Sequence, residues 1–123
     1  MKIPKGDPPA CTQNLLAMRD TLDILGGKWK LLILHYLIFR EHEQNTFKKM
    51  ERDIEGISAK MLSKELKDLE NNLLVKRQVN DTKPITVSYS VTEYGKTATE
   101  IIFPLVSWGT KHRNMIITQQ TGR

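Results

Sequence analysis

Lys60, Ser63, Lys64 and Lys67 recur at steps of three and four residues, so on a helix they share one face. Ammonium groups donate hydrogen bonds and carry charge, and a serine hydroxyl both donates and accepts. Such groups suit guanine edges and phosphate oxygens. Ser58 and Ala59 open the same segment, where a helix laid in a groove comes nearest to the bases, and an alanine methyl fits against a thymine methyl. The candidate base contacts are therefore Ser58, Ala59, Lys60, Ser63 and Lys64. Lys67 lies farther along and suits a phosphate, as do Lys48, Lys49, Arg77 and Lys83 elsewhere in the chain. Lys76 and Arg77 point to opposite faces of a strand, and Arg77 is taken as the one that faces the nucleic acid. An ordinary solvated helix interleaved with Glu65 and Asp68 would carry the same lysines, so the neighbouring elements must decide.

Those elements are legible. Ser58 is a good N-cap, and Leu62, Leu66 and Leu69 form an apolar stripe behind the lysines. Ile57 and Leu62 are spaced as a hydrophobic staple. Upstream, Thr46 caps a short helix over 47–54 whose Phe47, Met50 and Ile54 face inward, and Gly56 marks the turn. Before that, a loop is expected over 40–45 and an apolar central helix over 28–39. The first helix is expected over 13–25, stopped by Gly26-Gly27. Downstream, alternation over 75–79 and 87–91 predicts a β-hairpin with its tip at 80–84. Thr92 then caps a long last helix, bent or divided at Pro104. The order is helix, turn, helix, then wing. A helix would enter the major groove while the hairpin reaches the neighbouring backbone.

The 123 residues suffice for one domain, divided as an arm over 1–12, a winged-helix domain over 13–118 and a tail over 119–123. The net charge of +5 and pI near 9.4 favour a polyanion partner, here double-stranded DNA. Yet residues 46–83 hold nine basic and seven acidic residues, so the placement of charge on faces matters more than its sum. No apolar run is long enough for a membrane span or signal peptide, and the expected compartment is the cytoplasm. His35, His42 and His112 lack metal-site spacing, and there is no phosphate-binding glycine loop or nucleophile constellation. No cofactor, no metal and no enzymatic activity are expected.

Leu15, Met18, Leu22 and Leu25 stripe the first helix, and Ile101, Leu105, Trp108 and Met115 stripe the last. This is more apolar surface than a small core needs, and the two stripes are expected to pair across a two-fold axis. Packing within one subunit is the alternative. Cys11 is the only cysteine, so no intrachain disulfide can form. It is either an inert half-buried residue or a thiol that senses oxidants beside the dimer helix.

Cys11, Gly26-Gly27-Lys28-Trp29, Ile33-Leu34, Phe47, Gly56-Ile57-Ser58, Met61-Leu62, Leu66-Lys67, Leu69-Glu70, Pro84, Val87, Tyr89, Thr92, Gly95 and Trp108-Gly109 together resemble the HxlR-type winged-helix transcriptional regulators, relatives of the MarR class. The resemblance implies a mainly α fold with a small β-hairpin, a winged helix-turn-helix with N- and C-terminal dimerisation helices. It also implies a homodimeric, sequence-specific regulator of inverted-repeat operators; some members sense oxidants or electrophiles through the N-terminal cysteine. Thr46 stands where the family usually has arginine, Asn72 where glycine is usual, and Ser88 where the wing commonly has glutamate. The competing possibility is a winged-helix protein-interaction module that has lost operator recognition. The effector, if any, is not identified by these residues.

Overall fold

The computed structural model describes residues 9–121. Residues 1–8 of the expected arm (1–12) and the last two tail residues, 122–123, lie outside them. Five α-helices and three short strands run in the order α1 (Pro9–Leu25), α2 (Lys30–Phe39), β1 (Asn45–Thr46), α3 (Phe47–Asp53), α4 (Ala59–Asn71), β2 (Val75–Asn80), β3 (Thr86–Val91) and α5 (Thr99–Thr121). The core joins α2, α3 and α4. Ile33, Leu34, Leu37, Met50, Leu62, Leu66 and Leu69 are fully enclosed. The apolar periodicity of α4 thus does what its spacing predicts: three leucines enter the core and the lysines remain outside.

Several boundaries differ from expectation for physical reasons. Helix α1 begins at Pro9, so Cys11 belongs to a helix and not to an irregular arm. Proline suits a first helical position, because its missing N–H would have no partner there anyway. Helix α2 begins two residues late. Gly27, at φ 89°, breaks the chain's course, and Trp29 makes no side-chain cap. Helix α5 runs unbroken through Pro104 and includes 119–121, expected in the tail. Thr92 does not cap α5 directly. Its hydroxyl accepts from Gly95 N–H at 2.8 Å, capping a 3₁₀ turn (Gly95–Ala98) that leads into α5.

The hairpin pairs Val75 with Val91 through Asn80 with Thr86. A third strand was not expected: Asn45 and Thr46, read as loop and cap, also pair with Tyr89 and Ser88, giving the sheet order β1-β3-β2. Thr46 still caps α3, accepting from Lys49 N–H at 3.2 Å.

The end of α4 turns left-handed at Leu73, at φ 66°, one residue after Asn72, at φ −93°. Leu74 N–H donates to Leu69 C=O at 2.9 Å and Leu73 N–H to Glu70 C=O at 3.0 Å. These two bonds form a Schellman motif, with Leu69 and Leu74 buried beneath it.

Candidate nucleic-acid interface

Ser58 starts α4 by accepting from Met61 N–H at 3.0 Å, and its backbone carbonyl accepts from Leu62 N–H at 2.9 Å. This fixes the direction in which the first turn leaves the core. Ser58, Ala59, Lys60, Ser63, Lys64 and Lys67 are all exposed. Lys64 lies 3.6 Å from both Glu65 and Asp68 and remains largely in solvent.

A concave surface of about 400 Å³ lies between the start of α3, the middle of α4 and the hairpin. Its lining includes Lys48, Ser63, Arg77, Thr86 and Tyr89. Three candidates from separate elements, Lys48, Ser63 and Arg77, therefore share one cleft. The register explains Arg77: it pairs with Tyr89, so both side chains leave the same face of the sheet, while Lys76 and Ser90 take the other. No site role was expected for Tyr89 or Thr86; the alternation Val87, Tyr89 opposite Arg77 was the available signal. Lys83 is exposed at the tip, which is tied by a 2.7 Å hydrogen bond from the Thr82 hydroxyl to the Pro84 carbonyl.

Lys49 does not join this set. Its Nζ lies 2.7 Å from Glu43 Oε1 and donates to Asn45 Oδ1 at 2.9 Å. Asn45 is itself enclosed and donates to the Arg40 carbonyl at 2.9 Å. Lys49 thus holds the loop before β1, and its hydrogen bond keeps the Glu43 carboxyl below its ordinary pKa. The adjacent Lys48 points outward into the cleft region.

The HxlR-like helix-turn-helix family matches residues 24–116, the whole span from the end of α1 through most of α5. The chain belongs to this family. Among relatives, the HTH-type transcriptional regulator YdeP of Bacillus subtilis is 36% identical over 106 residues, 86% of this chain and 80% of that protein. The solved structure of the HTH-type transcriptional regulator ytcD superposes with a TM-score of 0.72 at 34% identity, covering 79% of this chain and 96% of that one. The redox regulator HypR in its reduced form gives 0.72 at 31% identity, covering 83% and 98%. This HxlR-type chain is a helix-turn-helix transcriptional regulator with a winged-helix fold.

Elsewhere on this HxlR-type chain, the two terminal stripes divide. Leu25 is enclosed in the core and Ile101 packs against it, so these two serve the subunit's own interior. Leu15 is half-buried, whereas Met18, Leu22, Leu105, Trp108 and Met115 are more than half exposed. Trp108 stacks on His112 with ring centroids 4.9 Å apart. Cys11 is a free, exposed thiol in the first turns of α1. Among the described residues, no helix is long and apolar enough to cross a membrane, and no cluster of His, Cys, Asp and Glu could hold a metal ion.

Proposed function

We propose that the chain binds double-stranded DNA sequence-specifically as a homodimer on an inverted-repeat operator and regulates transcription without enzymatic activity. The observation that carries this reading is the exposed stripe Lys60, Ser63, Lys64 and Lys67 on α4, continuous through Ser63 with the cleft that holds Lys48 and Arg77. Lys60, Ser63 and Lys64, with Ser58 and Ala59 at the helix start, read base edges. Lys67, Lys48, Arg77 and Lys83 hold phosphates. The exposed apolar residues Met18, Leu22, Leu105, Trp108 and Met115 support pairing of two subunits through α1 and α5, which would set two α4 helices about one DNA turn (roughly 34–36 Å) apart. Selection from a random duplex pool, followed by mobility shift at fixed salt, tests the reading. A strong preference for a palindromic site is expected. Equal affinity for all duplexes would end it, and a stable protein complex without duplex affinity would favour the interaction-module alternative.

The response to oxidants rests on Cys11. Its exposure and its place on α1 support a thiol role, as does likeness to a protein described as a redox regulator. Peroxide would join two Cys11 thiols into one intersubunit disulfide, each thiol losing a proton and an electron and the peroxide being reduced to water. Operator affinity is to be compared for reduced protein, oxidised protein and Cys11→Ser. Loss only in oxidised wild type is expected; equal affinity in all three would remove the switch and leave DNA binding untouched.

A further inference from the structure

Beneath the exposed face of α4 lies a group of four charges. Lys30, the first residue of α2, places Nζ 2.7 Å from Glu65 Oε2 and 3.4 Å from Asp68 Oδ2. Lys64 approaches the same two carboxylates from solvent, at 3.6 Å from each. The Lys30 and Glu65 side chains are only 12% and 9% exposed, whereas Lys64 is 64% exposed. Two cations therefore share two carboxylates unequally, the buried one closely and the exposed one loosely.

We propose that Lys30 is a positioning residue for DNA reading: by neutralising Glu65 and Asp68 from within, it leaves Lys64 available to the duplex. The inference rests on α4 being the reading helix. Lys30 is too enclosed to reach a phosphate itself. Its strong hydrogen bond to Glu65 raises its pKa, so it carries its charge at every working pH. Glu65 is buried between the leucines of the inner face and the lysines of the outer one. Without Lys30 its charge has one compensating partner left on this surface, and Lys64 is drawn down onto it.

The test is a double-mutant cycle on the operator that wild type selects from a random duplex pool. Lys30→Met should weaken operator binding about 5-fold in the wild-type background and leave it unchanged in the Lys64→Ala background. Lys30→Arg, or Glu65→Gln added to Lys30→Met, should restore most of the loss. An equal loss in both backgrounds would mean general damage or direct phosphate contact, and would overturn the proposal; so would no loss in a variant folded by circular dichroism. If Lys30→Met does not fold, half-buried Asp68→Asn serves instead: its gain in affinity should be larger with Lys64 present than with Ala there, and equal gains would overturn the proposal. A wild type that selects no operator removes the underlying reading, and this inference with it. A wild type that selects one isolates the fault in Lys30.

Discussion

The Tyr36 hydroxyl donates a 2.7 Å hydrogen bond to Asp53 Oδ2, tying the middle of α2 to the end of α3. The Arg40 guanidinium lies over the same ring at 4.1 Å. Burial, reinforced by the Asp53 carboxylate, pushes the phenol from near 10 up to about 12. The unfolded chain thus loses this proton near pH 10 and the native chain only near 12. Stability is complete below pH 10 and falls by about 2–3 kcal/mol as pH rises through that window. Lys30 works in the same direction, since its raised pKa contributes stability that is lost only at high pH. The tyrosinate absorbance contributed by Tyr36, read as wild type minus Tyr36→Phe, should rise only near pH 12. A Tyr36 contribution centred near pH 10 would refute this assignment.

Leu73 holds a left-handed conformation that costs a side-chain-bearing residue roughly 1–2 kcal/mol. Its side chain is 70% exposed and contributes little packing in return. Leu73→Gly should therefore raise stability by about 0.5–1 kcal/mol, once glycine's extra freedom in the unfolded chain is offset, and Tm by roughly 2–5 °C. A lower melting temperature in calorimetry would contradict the strain.

Lys48 and Lys49 provide an internal control. Lys48→Ala and Arg77→Ala should each weaken operator and random duplex alike and reduce the salt slope by about 0.9. Lys49→Ala should leave that slope nearly unchanged and destabilise the loop that Lys49 joins to Glu43 and Asn45. Affinity measured across a salt series separates the two. Equal slope changes for all three variants would place Lys49 on DNA.

Trp108 is 66% exposed and stacks only lightly on its own subunit through His112. Trp108→Glu should shift sedimentation from a two-chain to a one-chain mass at micromolar concentration, with little change in circular dichroism. An unchanged dimer would move the interface away from α5.

The sequence made the outline of the candidate interface's helix legible because helical periodicity is strong where one face is wholly buried. Leu62, Leu66 and Leu69 define α4, and the lysines then have only one side to occupy. Ser58 and Thr46 announced their caps by residue type. What escaped detection lacked a local signal. A two-residue strand, Asn45–Thr46, has no alternation to read. Leucine gives no sign of a positive φ, so nothing in the residue types marks Leu73 as the left-handed end of α4. Lys48 and Lys49 are chemically identical neighbours, and only the tertiary positions of Glu43 and Asn45 divide their roles. The partnership of Lys30 with Glu65 spans 35 positions, beyond any local pattern.

The corner at Thr92 and Gly95 joins the two working parts of the subunit. The Thr92 hydroxyl donates to the Leu73 carbonyl at 2.7 Å, and Gly95 sits so close to the Leu74 carbonyl that any Cβ would strike it. The 3₁₀ turn that leads into α5 is thereby clamped to the two residues that follow α4. Helix α5 is 23 residues long, a shaft of about 34 Å. A tilt of roughly 5° about that clamp moves the far end of α5 by about 3 Å, comparable with the rise of one base pair. On the proposed function, a partner that gripped the outer turns of α5 would be felt at α4 without touching it.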